Sequence, residues 1–338
     1  MDAIATRDLA QNSLPRGHRA MLAALFMLIA SLAAQRHALA GEPAEAASDN
    51  AARHGKLVIC GGGALPNQLR GRFIELAGGP DARVVVVTTA SAWADSDKIE
   101  GKLGFWRAQH LASLAILHTR SRTTADDPEF TRPLLEATGV WFIGGNQNLL
   151  TETYLGTLTE REIRGVLARA GVVGGTSAGA AIMSPVMIRR GNADVETGPG
   201  FGFLPGTVID QHFLKRNRQH RLLKVLGTYP DLVGLGIDEG TGVVVDGSHV
   251  SVLGESQVVV CSSADGDNPE TMQSLAAGAE TDMNALRTLA AHVAPKPAAA
   301  LASVAAPPTA VAQTPQPAPA PADVAASAEP PEASGLGH

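Results

Sequence analysis

Short runs of valine and isoleucine alternate with longer helical patterns along this chain, and this alternation restricts its fold more than any other feature. Five such runs, KLVIC, RVVVVTTA, AILHT, GVWFIGG and GVVGGTSAG, lie between residues 56 and 179. The segments between them carry apolar residues at three-to-four spacing, for example around 68–76, 98–112 and 160–170. Strand–helix–strand units of this kind build parallel sheets. We therefore predict an α/β fold with a mostly parallel sheet flanked by helices.

The last third of the body has a different pattern, TGVVVDGSHVSVLGESQVVVCSS. Its short strands are interrupted by Asp246-Gly247 and by Gly254-Glu255. Dipeptides of this kind favour the tight turns of β-hairpins. We expect antiparallel C-terminal strands that extend the sheet, and one domain over residues 55–290.

The two ends of the chain differ from this body. Residues 1–40 combine an arginine-containing start, an apolar run from Ala20 to Ala34 and an Ala-x-Ala site at Ala38 and Ala40. A spanning helix needs roughly 20 apolar residues, so this shorter run favours a signal peptide over a retained anchor. The mature protein is then expected to be periplasmic or secreted, and not membrane-bound. Residues 41–54 are predicted to be a linker, and the Pro/Ala-rich residues 291–338 a disordered tail.

Charge and cysteine content exclude several kinds of partner. The formal net charge is −6, and removing residues 1–40, with four Arg and two Asp, makes it −8. An acidic protein is a poor ligand for nucleic acid. Cys60 and Cys261 each end an apolar run, so we expect two buried thiols, although an exported protein could pair them. Neither has the spacing of a metal site, and we predict no metal and no cofactor.

The segment GGTSAGA places Ser177 on a strand-to-helix turn. Gly175-Thr176-Ser177-Ala178-Gly179 fits the Gly-x-Ser-x-Gly pattern, with an apolar strand before it and a helical pattern after it. This is the context of a nucleophile elbow, in which small flanking residues permit a strained turn. The alternative is that Ser177 only caps the following helix.

A general base for this serine is predicted at His212, which follows a strand directly in TVIDQHFLKRNRQHRLL. A helix beginning near Leu214 would place Lys215, Arg216 and Arg218 in its first turn, where positive charge opposes the helix dipole. An anion should offset that charge. A substrate carboxylate and Asp210 are both suitable, and a solvated basic face is the alternative.

The third member of a triad should be a carboxylate that orients the imidazole. Asp238 and Glu239 end another apolar strand in LVGLGIDEGTG, and the residues alone do not choose between them. The order Ser, His, acid differs from the order Ser, acid, His of the α/β-hydrolases, which argues against a lipase or esterase.

These segments together resemble the cyanophycinase family of serine peptidases. LVICGGGALP, FIGGNQ, GGTSAGA, the block around IDQHFLKRNRQHRL and GIDEGTG occur in this order between about Lys56 and Ser262. The Arg-rich block is the most specific part, since the related peptidase E, an aspartyl dipeptidase, shares the serine turn but lacks that block. The resemblance implies a flavodoxin-like fold, akin to the class I glutamine amidotransferase domains.

The resemblance also implies a function and a set of site residues. It implies hydrolysis of cyanophycin, a poly-aspartate chain with an arginine on each side chain, to β-Asp-Arg dipeptides. Ser177 would be the nucleophile, His212 the general base and Glu239 the orienting acid. The oxyanion hole would use the amides of Gly145 or Asn146 together with Ala178. The implied substrate-binding residues are Gln147, Arg216, Arg218 and Arg221.

Two other functions are compatible with the same residues. One is an aspartyl or isoaspartyl dipeptidase with a different substrate, and the other is a secreted binding protein that has lost catalysis. The presence of Ser177, His212 and Glu239 argues against the second. The family also suggests a homodimer.

Overall fold

The computed structural model describes residues 55–263 and 270–290. The predicted signal peptide, linker and Pro/Ala-rich tail lie outside these residues. The described part forms two sheets with α-helices packed around them. The sequence predicts a single extended sheet, and the second sheet is the main difference.

The first sheet has eight strands in the order β14-β11-β10-β1-β5-β4-β2-β3. Its five strands from β1 to β3 in this order are parallel, and they coincide with the five valine- and isoleucine-rich runs. The antiparallel strands β10 and β11 extend one edge, as predicted, and β14, which was not predicted, continues it. Its strands are β1 Lys56–Cys60, β2 Arg83–Val87, β3 Ser113–Leu117, β4 Gly139–Phe142, β5 Val172–Thr176, β10 Thr241–Asp246, β11 His249–Gly254 and β14 Glu280–Asp282.

The second sheet has six strands in the order β13-β12-β9-β8-β6-β7. Its central strands β6, β8 and β9 are parallel, and antiparallel neighbours lie on both sides. Its strands are β6 Val186–Arg190, β7 Glu196–Pro199, β8 Thr207–Gln211, β9 Val233–Ile237, β12 Gln257–Ser262 and β13 Thr271–Ala276.

The two dipeptides predicted to form hairpins behave differently. Asp246-Gly247 joins the paired strands β10 and β11. The prediction for Gly254-Glu255 was wrong, because β11 belongs to the first sheet and β12 to the second. Gly254 has a φ of 120°, and a Cβ there would lie 2.2 Å from the Gly240 carbonyl oxygen. A glycine turn signals a change of direction, whereas the choice of the next pairing edge depends on distant strands.

The helices cover the outer faces of the sheets and part of the space between them. The three helices predicted around 68–76, 98–112 and 160–170 occur as α1, α2 and α6. The helix expected near Leu214 begins at Gln219 instead. None of the helices in the described part is long and apolar enough to cross a membrane. The helices are α1 Asn67–Leu76, α2 Glu100–Arg107, α3 Arg122–Ala125, α4 Pro128–Leu135, α5 Gln147–Tyr154, α6 Leu158–Ala168, α7 Ala178–Ala181, α8 Gln219–Thr228 and α9 Met283–Ala290.

The core has three layers, and strand β1 shows how the sequence creates them. Leu57 and Ile59 belong to the central cluster, which includes residues of both sheets. Val58 and Cys60 point to the other face, where α1 and α2 cover the first sheet. The third cluster packs α8 against the outer face of the second sheet. The central strands of each sheet are buried on both faces, and for this reason they are continuously apolar.

Cys60 and Cys261 lie in different sheets, and neither forms a disulfide. Both side chains are fully buried. Burial raises the pKa of the Cys60 thiol to about 12 and the pKa of the Cys261 thiol to about 12. The prediction of two buried, unpaired thiols is confirmed.

Candidate active site

Ser177 occupies a sharp turn between β5 and α7. Its backbone has a φ of 53° and a ψ of −109°, a conformation that costs a non-glycine residue energy and is found mainly at functional sites. The neighbouring glycines are required by close packing. A Cβ on Gly175 would lie 2.7 Å from the backbone of Gly179, and one on Gly179 would lie 2.5 Å from the Phe142 carbonyl oxygen. The elbow geometry predicted from the pentad is present.

Two residues from the second sheet meet Ser177 at this edge. His212 follows β8, and Glu239 follows β9, which pairs with β8 in parallel. Ser177 Oγ lies 2.9 Å from His212 Nε2, and His212 Nδ1 lies 2.5 Å from Glu239 Oε1. The His212 backbone has a φ of 49°, and its N–H donates to the Gly61 carbonyl oxygen at 2.8 Å. The three side chains form one continuous hydrogen-bonded chain.

The adjacent carboxylates Asp238 and Glu239 have different partners. Asp238 accepts hydrogen bonds from the backbone N–H of Lys215 and from the hydroxyl of Ser256, both at 2.9 Å. Its side chain therefore fixes the segment after His212 and the turn before β12. Glu239 is the carboxylate that contacts the imidazole, as the family resemblance implied.

The environment of His212 lowers its pKa below the ordinary value. Burial is the largest cause, the neighbouring charge of Arg216 adds to it, and the hydrogen bond to Glu239 opposes it. The imidazole is consequently neutral near pH 7 and able to accept a proton. A carboxylate at Nδ1 leaves Nε2 as the accepting nitrogen toward Ser177.

The Gly-rich loop after β1 forms the floor beneath the histidine and the glutamate. Gly62 has a φ of 108°, and a Cβ there would lie 2.4 Å from His212 Cε1. Gly63 has a φ of 70°, and its Cβ would lie 2.8 Å from Glu239 Oε2. No contact with the histidine or the glutamate was predicted for CGGGALP from the sequence. The run of three glycines at the end of β1 indicates a close approach of other atoms. The sequence does not show which atoms, because His212 and Glu239 come from the other sheet.

The backbone hydrogen bonds show which of the predicted oxyanion-hole amides are free to donate to a substrate. The Asn146 N–H donates to the Ala90 carbonyl oxygen at 2.8 Å, so this amide is already used. Gly145 precedes it in the same loop, and Gly144 lies against the nucleophile, since a Cβ there would be 3.2 Å from Ser177 Cβ. The Ala178 amide is at the first position of α7, where an N–H has no intrahelical acceptor. Gly145 and Ala178 are therefore the remaining pair.

Arg221 and Arg218 extend into the second sheet. Arg221 Nε donates to Asp210 Oδ2 at 2.6 Å, its Nη2 donates to Asp210 Oδ1, and its Nη1 donates to the Gly191 carbonyl oxygen. Arg221 is 5% exposed and Asp210 is 1% exposed. This buried pair does not support Arg221 as a substrate ligand, because its donors already have acceptors. Asp210 supplies the anion that the Arg-rich block required.

Arg218 is half-buried and also bound to the protein. Its Nη1 donates to the Gln211 carbonyl oxygen at 2.6 Å and lies 3.4 Å from Asp210 Oδ1. Burial, together with repulsion by Arg221 and Arg216, lowers its pKa to about 10.

Arg216 and Gln147, the other two predicted substrate ligands, differ in their partners. Arg216 is exposed and has no ion-pair partner within residues 55–263 and 270–288. Gln147 Nε2 donates to the carbonyl oxygens of Ile188 and Arg189 at 2.9 and 2.8 Å, which ties α5 to β6. Of the four predicted substrate ligands, Arg216 is the one whose charged group is open to a ligand.

A cleft of about 580 Å³ opens beside Ser177 and His212. The Gly62–Gly63 and Gly144–Gly145 loops form its base. A further part of its wall comes from Arg70, Trp93 and Lys102, which the sequence analysis did not identify. The described residues contain no group of three or more His, Cys, Asp or Glu side chains arranged to hold a metal ion.

Comparisons with known proteins identify the family of this chain. Residues 57–253 match the model of peptidase family S51. A cyanophycinase from Synechococcus elongatus is 34% identical over 229 residues, covering 63% of this chain and 70% of the relative. A cyanophycinase from Geminocystis herdmanii is 32% identical over 203 residues, covering 56% and 72%.

A solved structure confirms the predicted fold class. The crystal structure of a peptidase from an acI-B1 Actinobacterium matches with a TM-score of 0.54 and 23% identity, covering 69% of this chain and 98% of that one. At this identity the likeness concerns the fold alone. The family match and the cyanophycinase relatives together show that this chain belongs to peptidase family S51 and is a serine-type peptidase.

Proposed function

We propose that this protein is an exported exopeptidase that hydrolyses cyanophycin to β-Asp-Arg dipeptides with Ser177, His212 and Glu239 as its catalytic triad. The observation that carries the proposal is the hydrogen-bonded chain from Ser177 Oγ through the imidazole to Glu239 Oε1. It occurs in a chain whose relatives include several cyanophycinases.

The geometry supports acyl transfer through a covalent intermediate. His212 Nε2 takes the proton from Ser177 Oγ while that oxygen attacks the scissile carbonyl carbon. Glu239 holds the imidazole and stabilises its protonated form. The imidazolium then gives the proton to the leaving amine, the C–N bond breaks, and water repeats the sequence to release the acyl group. The amides of Gly145 and Ala178 stabilise the negative charge on the carbonyl oxygen.

Substrate charge is consistent with the groups that remain open. A poly-aspartate backbone and its arginine branches end in carboxylates, which a guanidinium binds through charge-assisted hydrogen bonds. Arg216 supplies such a guanidinium near His212. Arg70 and Lys102, which line the cleft, add further positive charge. The expected acidic mature surface tolerates the cationic branches.

Export is supported by the signal-peptide pattern of residues 1–40. An insoluble polymer cannot be imported intact, so a cell that uses it from outside must cut it there. Cell fractionation with an activity assay tests this part, and activity confined to the cytosol contradicts it.

The catalytic proposal is tested with residues 41–338 of the chain. We expect this protein to release β-Asp-Arg from cyanophycin, identified by mass spectrometry. Ser177→Ala should lower the rate by about 10⁴-fold or more. Ser113→Ala, at the far edge strand of the first sheet, serves as the control and should retain full activity.

Unchanged hydrolysis by Ser177→Ala contradicts the mechanism. If the protein leaves the polymer intact but cleaves aspartyl or isoaspartyl dipeptides, the same triad belongs to a dipeptidase. No hydrolysis of any of these substrates by the parent protein favours the binding-protein alternative.

A further inference from the structure

Three residues that no family resemblance assigned form one part of the cleft beside Ser177. They are Arg70 of α1, Trp93 of the segment after β2, and Lys102 of α2, and we call them the basic wall. We propose that the basic wall is a specificity-determining subsite that binds a carboxylate group of the substrate. The inference rests on the proposed function, because it places that carboxylate in the cleft that holds the nucleophile.

The charges around the cleft favour an anion. Arg70 and Lys102 line it, whereas no Asp or Glu does so among the described residues. Two of the three acidic side chains between Trp93 and Lys102, those of Asp95 and Glu100, are paired elsewhere. Asp95 lies 2.7 Å from His118 Nε2 and 3.2 Å from Arg120, and Glu100 lies 2.6 Å from Arg107. The third, Asp97, does not line the cleft, so no carboxylate of this segment neutralises Arg70 and Lys102 within it.

Two unsatisfied polar atoms belong to residues of the same cleft. Among the described residues, Arg70 Nε and Thr176 Oγ1 are the buried side-chain nitrogen and oxygen atoms without a hydrogen-bond partner. Both residues line the cleft, and Thr176 directly precedes the nucleophile. Each atom can donate a hydrogen bond, and buried donors without acceptors are uncommon outside functional sites. A carboxylate is an acceptor-only group, and it would satisfy these donors if the two buried side chains turn toward the cleft on binding.

Arg70 is held in place by contacts that leave part of its guanidinium unused. The guanidinium carbon lies 3.9 Å from the centroid of the Phe105 ring. Nη2 donates to Asn67 Oδ1 at 3.2 Å and to the Leu65 carbonyl oxygen at 3.4 Å. Burial removes water from the guanidinium and lowers the pKa of Arg70, and an adjacent carboxylate would offset this loss of hydration. A fixed and partly desolvated cation binds an anion more strongly than a mobile surface cation.

Trp93 provides an apolar boundary for this positive charge. Its side chain is 45% exposed, which is unusual for so large an apolar group. Lys102 Nζ lies 5.3 Å from the centroid of its ring. Arg120 donates to the Ser91 carbonyl oxygen and so ties the segment to the chain after β3, and Ser96 donates to the Trp93 carbonyl oxygen within the segment, both at 3.1 Å. A bound substrate would cover this ring and exclude water from the ion pair.

The substrate carries two kinds of carboxylate that could occupy the subsite. One is the backbone C-terminus of the poly-aspartate chain, and the other is the α-carboxylate of each branching arginine. Both offer the same chemistry to Arg70 and Lys102. Amidation of one or the other distinguishes them experimentally.

The test uses Ser177→Ala in residues 41–338, so that the ligand is not cleaved. The probe is a synthetic trimer of β-Asp-Arg, and its affinity is measured by isothermal titration calorimetry. A second probe has an amide at the backbone C-terminus, and a third has argininamide branches. We expect one amidated probe to bind about ten- to a hundredfold more weakly, as for the loss of a charge-assisted hydrogen bond.

Variants of the basic wall should remove this discrimination. Arg70→Gln, made in the Ser177→Ala background, should weaken binding of the parent trimer about ten- to a hundredfold and abolish the effect of amidation. Lys102→Gln, at an exposed position, should act in the same direction without a risk to folding. Arg72→Gln is the matched control, because Arg72 lies on the same helix, is paired with Glu75 at 2.6 Å and does not line the cleft.

The outcomes separate this inference from the proposed function. Equal affinity for all three probes, or parent-like affinity in both Arg70→Gln and Lys102→Gln, overturns the subsite even where cyanophycin is hydrolysed. Discrimination that depends on the basic wall supports the subsite, and it does so even where the active protein fails to hydrolyse the polymer. In that case it is the proposed function that fails.

Discussion

The two sheets contribute to the active site in different ways. The eight-stranded sheet supplies Ser177 on a turn fixed by close backbone contacts among glycines. The six-stranded sheet supplies His212 and Glu239 from the ends of β8 and β9. Its interior next to these residues is polar, with Asp210 bound to Arg218 and Arg221.

The difference concerns the kind of force that positions each group. Around Ser177, close backbone contacts restrict the turn to one conformation. Adding a single methyl group to one of its glycines is enough to disturb that conformation. On the histidine side, hydrogen bonds and ion pairs hold the segment, and their strength depends on the surrounding dielectric. Substitutions near Ser177 and substitutions near His212 should therefore reduce activity or stability by different physical mechanisms.

The largest effect is expected from the carboxylate that touches the imidazole. Glu239→Gln should lower kcat by about 10⁴-fold, because the amide no longer stabilises the imidazolium and permits the wrong tautomer. Asp238→Asn is the matched control on the neighbouring residue. It should retain activity within about tenfold, since Asp238 contacts Lys215 and Ser256 rather than the histidine. Steady-state kinetics measures both, and equal losses would contradict the assignment of Glu239.

The next effect concerns the stability of the second sheet. Asp210→Ala leaves the buried Arg221 without its counter-charge, and the free energy of unfolding should fall by about 3–5 kcal/mol. Urea denaturation followed by circular dichroism measures this change. Asp246→Ala is the control, since Asp246 is an exposed hairpin residue 3.8 Å from Lys56 and should change the unfolding free energy by less than about 1 kcal/mol. A loss below about 1 kcal/mol for Asp210→Ala would show that the pair is not structurally important.

Gly62→Ala tests the floor of the site from the first sheet. The added Cβ would lie 2.4 Å from His212 Cε1 at a φ of 108°, so the imidazole must move away from Ser177 Oγ. We expect a loss of about 100-fold in kcat/KM, since a shift of about 1 Å can have that effect. Gly71→Ala, where a Cβ has nothing within 4 Å, should retain full activity. Parent-like kinetics of Gly62→Ala would contradict the close contact.

The smallest effect is expected in the pH dependence of kcat/KM. Catalysis requires neutral His212, so activity should fall as the pH drops through the pKa of this residue in the free enzyme. Burial lowers that pKa from its ordinary 6.5, and the midpoint of the acid limb should accordingly lie below pH 6.5. Arg216→Gln removes a charge that lowers the pKa further, so the midpoint should move to higher pH. A midpoint shift in the opposite direction would rule out this electrostatic influence.

Much of this site was visible in the sequence because it depends on local patterns. The alternation of apolar runs predicted the five parallel strands, and the small residues around Ser177 predicted its turn. The position of His212 directly after a strand predicted a base at the sheet edge. These features lie within single elements, where periodicity and turn chemistry carry the information.

Other features depend on contacts between residues far apart in the chain. Ser177 and His212 are 35 positions apart, and His212 and Glu239 are 27 apart. Local pattern did not separate Asp238 from Glu239, because both follow the same strand. The local pattern also did not reveal that Arg221 is buried against Asp210. An arginine on the inward face of α8 has the same helical spacing whether it contacts a buried carboxylate or a substrate.

The sequence by itself determined the fold class, the serine turn and the position of His212 directly after a strand. The tertiary structure decided that the strands divide into two sheets, that Glu239 rather than Asp238 meets the histidine, and that Gly62 and Gly63 support both. The physical reason is that a strand or turn is specified by its own residues, whereas pairing, burial and close approach are specified by what packs against them.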